Sequence, residues 1–304
     1  MDRHLLVIGL GFSGTAIARH AAEAGWRVTA TARNPARAAP PPGVDLLPFA
    51  EAGPALAGAT HLAVTAPPAE SAGQGPDPVL AAHAAALAAA PLRWIGYLST
   101  TGVYGDRGGA WVDETTEPAP AQPRSIRRRA AELQWEAFAT RAAVDLLRCA
   151  GIYGPGRSVL DDLRAGTARR TVRPGHAFGR IHCDDIARAV LAAASNPPPP
   201  GLRVLHLADD EPAESAAVTE GAARMLGLPP PAAIPFETAR AAMSPMALSF
   251  WAENRRISSA RTKAALGIAW RYPSWREGLA AILAEERAEE GPKEGPKEGR
   301  DSPR

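Results

Sequence analysis

The chain has 304 residues, with 34 lysines and arginines against 32 aspartates and glutamates; a formal net charge of +2 excludes a large electrostatic commitment to nucleic acid or to an anionic membrane. Its hydrophobic content of 46% is ample for a core, and its length accommodates one large α/β domain with a smaller appendage. No basic region leads into an apolar run and cleavage site, and no stretch is long enough to span a bilayer, so a soluble cytoplasmic protein is expected, with Cys149 and Cys183 as two buried reduced thiols.

His4 to Ile8 reads as an apolar strand that breaks into Gly9-Leu10-Gly11-Phe12-Ser13-Gly14 and then enters an amphipathic helix. Such a strand, Gly-x-Gly-x-x-Gly and helix predict a dinucleotide cradle. Gly9 takes the tight turn, and Gly11 lets the backbone approach a pyrophosphate. Gly14 lets helix and strand pack closely, and Phe12 and Ser13 stand at the crest, where the helix N-terminus faces the phosphates. Gly25 ends this helix as a left-handed cap. The plain alternative is an ordinary glycine turn in an α/β protein.

The second strand, residues 27–32, ends in Thr31-Ala32-Arg33-Asn34, where a site built for NAD would place an acid against the ribose 2′-hydroxyl. Arg33, with Arg37, can instead pair with a 2′-phosphate through its planar fork, so NADP is the expected coenzyme and NAD the alternative. A solvated surface arginine would look the same in sequence.

Further strands are predicted at 44–48, 61–66, 92–98, 144–150 and 203–207, alternating with alanine-rich segments such as Val79 to Ala90. That rhythm predicts a doubly wound parallel sheet. Pro67-Pro68 and Ser71 to Pro78 read as a flexible connection on the edge where cofactor-facing loops lie. Residues 1–150 with 180–208 form the expected dinucleotide-binding domain, and 151–179 with 209–285 a smaller C-terminal substrate lobe. Residues 286–304 carry a doubled Glu-Gly-Pro-Lys unit and are expected to be a disordered tail.

Four landmarks follow the glycine loop in order: Leu98-Ser99-Thr100-Thr101-Gly102-Val103-Tyr104-Gly105, Val112-Asp113-Glu114, Leu147 to Arg157, and Arg180-Ile181-His182-Cys183-Asp184-Asp185. With them the chain resembles the extended short-chain dehydrogenase/reductase superfamily, the NAD-dependent epimerase/dehydratase type, over nearly all of its length before the tail. Asn254-Arg255-Arg256 and Tyr272 to Leu279 look like an atypical bacterial branch of it. The resemblance implies a Rossmann-type α/β fold, a nicotinamide cofactor across the strand ends, and a nucleotide-sugar or other small carbonyl or alcohol substrate beneath the C-terminal lobe. It also implies a homodimer through the helix that includes residues 123–140.

The superfamily's usual catalytic set is a Ser or Thr with Tyr-x-x-x-Lys, and here the chain departs from it. Its four tyrosines are Tyr97, Tyr104, Tyr153 and Tyr272, and its first lysine is Lys263. Aligned between the Val-Tyr-Gly landmark and Glu132, Ser125 takes the tyrosine position and Arg129 the lysine position, while Thr100 falls where the Ser or Thr stands, with Ser99 beside it. A phenol of pKa about 10 can be drawn toward neutrality by an adjacent cation and pass a proton; a serine hydroxyl cannot. Arginine stays protonated, so Arg129 can hold a cofactor ribose but cannot relay a proton. Ile126, Ala130, Leu133 and Ala137 form an apolar stripe that predicts a helix with Ser125 and Arg129 on one face.

Any redox step therefore needs another proton donor. Tyr104 is the first candidate, since the Val-Tyr-Gly loop borders the nicotinamide in the superfamily. His182 has a suitable intrinsic pKa, but the family pattern assigns it a structural role, with Asp184 as a helix N-cap. Asp113 and Glu114 are expected to close a surface loop, and Tyr153 and Pro155 to position cofactor or substrate. Arg157, Arg164, Arg169, Arg170 and Arg173 can face an anionic substrate such as a diphosphate, or be solvated surface. No metal site is expected. The expected function is that of an NADP-dependent oxidoreductase or epimerase; a non-catalytic NADP(H)-binding regulator or scaffold is the alternative, and a structural protein with a vestigial pocket is a third.

Overall fold

The computed structural model describes residues 3–68 and 77–290. Seven strands form one parallel sheet: β1 (His4–Ile8), β2 (Arg27–Ala32), β3 (Val44–Pro48), β4 (His61–Val64), β5 (Trp94–Thr100), β6 (Ala143–Cys149) and β7 (Gly201–Leu207), in the spatial order β7-β6-β5-β4-β1-β2-β3. The order reverses at β1, where β2 and β4 lie on opposite sides of it. Crevices at the C-terminal ends of strands open at such a reversal, so the glycine loop leaving β1 lies at the one built into this topology.

The strands read as continuous apolar runs because both faces of the sheet are covered. Leu5, Val7, Ala30, Leu98 and Leu147 point into one apolar cluster with α1 (Phe12–Glu23) and α4 (Cys183–Ser195). Their neighbours Leu6, Ile8, Ile95, Tyr97 and Leu146 point into the other, with α2 (Pro78–Ala89) and α3 (Pro123–Glu136). This period-two division fixes the register, and with it which side chains reach the strand ends.

β4 stops at Val64, two residues before its expected end, because Thr65 and Ala66 both turn their amides to the Ile8 carbonyl, at 3.0 and 3.2 Å. β5 extends two residues further than expected, so Ser99 and Thr100 lie within it, and Thr100 pairs with Cys149 at the C-terminal ends of β5 and β6. The connection expected at Ser71 to Pro78 lies mostly outside the described residues.

Beyond β6 the chain makes short strand pairs. Gly151–Tyr153 pairs in parallel with Arg180–His182, and Trp111–Val112 with Arg256–Ile257. A third apolar cluster joins Tyr153, Leu160 and Leu163 to α5 (Ser215–Met225) and to Trp275, Leu279 and Ile282 of α7 (Trp275–Glu290). α7 runs through Glu286 to Glu290, so the expected start of the tail at 286 is corrected: those residues continue an amphipathic helix whose apolar face is already buried. Residues 291–304 lie outside the described residues. Among the described residues no helix is long and apolar enough to cross a membrane.

Candidate functional site

The loop after β1 has the shape the glycine spacing predicts. Gly9 has φ +106°, a conformation side chains rarely adopt, and a Cβ on Gly14 would stand 2.1 Å from the Gly9 carbonyl oxygen. Gly11 differs: nothing lies within 4 Å of a Cβ built there, so its face is open space. Gly11 is also the N-cap of α1, no side chain caps the helix, and no acid occupies its first turn. The N–H groups of that turn, around Phe12 and Ser13, are thus left for an anion. Thr65 donates its hydroxyl to the Gly9 carbonyl and holds the turn from the β4 side.

Leu10 donates its amide to the Thr31 carbonyl at 2.7 Å, which sets the end of β2 beside the glycine loop. Arg33 follows directly, exposed and without an ion pair among the described residues, and Arg37 is exposed on the next short turn.

At the end of β5 the expected catalytic residues separate. The Thr100 hydroxyl accepts the Gly102 amide at 3.1 Å and Thr100 lines a cavity. Ser125 is 1% exposed, packed against Gly102, with an unpartnered hydroxyl. Arg129 turns to Glu132 and Glu136 of its own helix, at 3.1 and 2.7 Å. Ser99 donates to Glu132 at 2.5 Å.

Tyr104, the expected alternative donor, is fully buried; its hydroxyl meets His206 Nε2 and accepts from Arg148 at 2.7 Å. Burial pushes its pKa up to about 12, against the pull of Arg148. As a proton donor to substrate Tyr104 is therefore corrected: its hydroxyl is sealed in a buried network of Ser99, Glu132, Arg148 and His206 and is absent from the cavity lining.

The stripe on α3 is also corrected. Ile126 and Leu133 are exposed, at 40% and 52%, and the buried face is Ser125, Ala131, Glu132 and Trp135. The helix turns polar residues inward because Glu132 meets Arg148 there, and the sum of its apolar positions misidentifies the face.

His182 and Asp184 exchange roles. His182 Nδ1 accepts the Asp184 amide at 3.2 Å and so caps α4, while the Asp184 carboxylate binds Arg19 at 2.6 Å and His20 at 3.3 Å, tying α4 to α1. His182, Cys183 and Asp184 have ligand atoms within 4.8 Å of one another, but two of the three are committed in this way. Asp113 accepts from Thr115 and closes its loop, and Glu114 accepts from Thr262 at 2.6 Å.

A cavity of about 690 Å³ opens between the strand ends and the C-terminal part of the chain. Thr100, Cys149 and Tyr153 line it from the sheet side, and Ala247, Phe250 and Trp251 from α6 (Pro245–Trp251). Tyr153 offers the cavity its ring, with its hydroxyl buried against Gly278 and unpartnered. Of the five arginines expected to face an anion, Arg157 lines this cavity, with its guanidinium 5.3 Å from the Phe12 ring. Arg169 lines a smaller neighbouring cavity of about 210 Å³. Arg164 pairs with Glu286 at 2.5 Å, Arg170 with Glu220 at 3.2 Å, and Arg173 binds the Trp251 carbonyl. Sequence reasoning missed Arg124, Arg180 and Arg255, which do line the main cavity. The last two stand in motifs that were read for other purposes, and Arg124 precedes Ser125 directly.

Comparison with known proteins gives four informative likenesses. The protein YeeZ of Escherichia coli K12 is 31% identical over 249 residues, 75% of this chain and 86% of that protein. A 3-diazoavenalumate denitrifying reductase of Streptomyces is 32% identical over 176 residues; that match covers 53% of this chain and about half, 54%, of the reductase. The structure of a functionally unknown conserved protein from Silicibacter pomeroyi matches at 42% identity and a TM-score of 0.84, over 93% of this chain and 99% of that one. The human epimerase family protein SDR39U1, solved with NADPH, shares the fold at 19% identity and a TM-score of 0.72, over 92% and 99% of the two chains. The chain belongs to the family of YeeZ, and its fold is that of the epimerase/dehydratase structures, as the sequence resemblance implied. No family model matches it. The Rossmann-type sheet is common to this chain and those structures.

Proposed function

We propose that the chain is an NADP-dependent oxidoreductase that acts on a small molecule held in the 690 Å³ cavity. The observation that carries this reading is the open face of Gly11 at the uncapped N-terminus of α1, with Arg33 at the neighbouring strand end and no carboxylate in the Thr31 to Asn34 turn. A pyrophosphate fits the first, and a 2′-phosphate fits the second. The reductase relative and the NADPH held by the human neighbour support the same reading.

Gly11, Phe12, Ser13 and Gly14 would hold the pyrophosphate, Arg33 the 2′-phosphate, and the end of β5 at Ser99 and Thr100 would border the nicotinamide ribose. When bound, the coenzyme supplies a hydride. The chain's own residues would orient the substrate: Thr100 lines the cavity, and Arg124 and Arg157 hold charge there. None of them is a side-chain acid near neutrality. The proton would come from water entering the cavity mouth or from one of the lining carboxylates, Asp161, Asp162 and Glu253.

A second reading, an NADP(H)-binding regulator or scaffold without turnover, draws support from the sealed Tyr104 hydroxyl and from Arg129 being held by glutamates. Consumption of NADPH with a panel of aldehydes, ketones, conjugated acids and sugar nucleotides decides between them. Coenzyme-dependent turnover of any of them supports the oxidoreductase, interconversion of a sugar nucleotide without net NADPH loss supports an epimerase, and tight binding with neither supports the regulator. The exposed Ile126 and Leu133 on α3 support a homodimer through that helix.

A further inference from the structure

The cavity holds four arginines, Arg124, Arg157, Arg180 and Arg255, against three carboxylates, Asp161, Asp162 and Glu253. Arg180 and Arg255 are engaged by oxygen acceptors, and Arg157 is turned toward the glycine loop at Phe12. Arg255 binds Glu253 at 2.7 Å and the Gly105 carbonyl at 2.9 Å. Arg180 donates to the Phe178 and Ala213 carbonyls at 2.9 and 3.2 Å, and Arg157 lies over the Phe12 ring. Asp161 is used in capping, accepting from the Ser158 amide and hydroxyl at 2.7 Å.

Arg124 is different. It stands in the first turn of α3, its guanidinium is 3.7 Å from the centre of the Phe250 ring, and its nearest polar contact is the Met246 sulfur at 4.0 Å. No carboxylate lies within ion-pair distance of it among the described residues, and its Nε is buried without a partner. Burial holds its pKa below the ordinary arginine value, with Glu253 opposing and Arg255 adding to the shift. A half-buried guanidinium without a counter-ion is left to seek one, and its fork matches a carboxylate. Around it the wall is apolar and aromatic, with Phe178 and Trp251 edge to face at 4.9 Å and Phe250 and Ile257 beside them.

We propose that this cavity binds a planar aryl or conjugated monocarboxylate, with Arg124 as the residue that takes the carboxylate and Phe178, Phe250 and Trp251 as the wall against which the planar body lies. The single surplus positive charge selects a monoanion over a diphosphate, which would bring at least two charges to a site that already holds three carboxylates. The aromatic wall selects a flat body over a sugar. The inference deepens the oxidoreductase reading and rests on it only for the coenzyme.

Calorimetric titration with cinnamate and 4-hydroxycinnamate, and with their neutral amides, tests it in the presence and absence of saturating NADPH. The acids are expected to bind the parent about ten-fold or more tightly than the amides, the loss expected for one charge-assisted pair. Arg124→Gln removes that preference, weakening the acids far more than the amides, and Arg124→Lys restores part of it. Equal binding of acid and amide by the parent, failure of both acids to bind, or full acid affinity in Arg124→Gln overturns the proposal. So does UDP-glucose that displaces the acids and itself depends on Arg124, since that is the diphosphate reading. If the acids keep their preference while NADPH fails to bind, the coenzyme reading falls and this one stands.

Discussion

Arg148, on β6, holds both carboxylate oxygens of Glu132 on α3, Nε to Oε1 at 3.0 Å and Nη2 to Oε2 at 2.8 Å, with side-chain exposures of 3% and 0%. Ser99 and Arg129 complete the shell of the carboxylate, and Arg148 passes on to the Tyr104 hydroxyl. The helix on which the resemblance places a proton-transfer pair is joined here to the sheet by a buried ion pair.

Removing one partner leaves the other charge stranded. Glu132→Ala is expected to cost about 3–5 kcal/mol of stability. Pairing it with Arg148→Met is expected to recover much of that loss, because the uncompensated charge goes too. Urea melts of both single variants and the double variant check this; additive losses would show that the two side chains do not act as a pair.

Tyr104→Phe separates structure from chemistry. It deletes a hydroxyl that serves His206 and Arg148, so a loss of about 1–3 kcal/mol in stability is expected. The pH profile of any NADPH turnover should keep its shape. A lost or displaced basic limb would return Tyr104 to the role of proton donor.

How much of this was legible follows from which residues obey a period. The sheet and both its faces were readable, because Leu5-Leu6-Val7-Ile8 alternates between two apolar clusters and the glycine spacing admits few other shapes. The face of α3 was not. Ile126 and Leu133 satisfy helical spacing, yet the helix is placed by Glu132, a single charge whose partner Arg148 is sixteen residues away on another strand. Pairing of that kind leaves no periodic trace. Arg124 was hidden for a related reason: its surroundings come from Phe250, more than a hundred residues on. His182 was correctly read as structural, but the capping atom proved to be its own Nδ1.

The glycine loop gives opposite predictions at two positions. Gly11→Ala should fold as the parent does, since the added methyl meets open space, and should weaken dinucleotide binding by intruding where the pyrophosphate approaches. Gly14→Ala should lose stability, because its methyl meets the Gly9 carbonyl oxygen. Thermal melts alongside NADPH titrations distinguish the two; equal melting losses would show that the Gly11 face is not open.

Asp209 predicts a pH dependence. It is 1% exposed, and burial raises its pKa from 3.8 to about 8, against the pull of Arg180 and of the neighbouring backbone amides. The folded state therefore keeps a proton that the unfolded chain has released. Stability from this group is fully present below pH 3.8, falls as pH rises toward about 8, and levels off above it. Asp209→Asn should flatten that part of the stability profile and gain most over the parent above pH 8. A parallel offset at every pH would contradict the assignment.

The central claim is a coenzyme cradle whose ribose end is read by Arg33. Calorimetric titration of the parent and of Arg33→Ala with NADPH and NADH tests it most directly. The account predicts that the parent binds NADPH more tightly than NADH, and that Arg33→Ala loses NADPH affinity by about ten-fold or more while NADH affinity barely moves, as expected for one charge-assisted pair to the 2′-phosphate. A parent that binds neither dinucleotide, or an Arg33→Ala variant that binds NADPH as tightly as the parent, would contradict it.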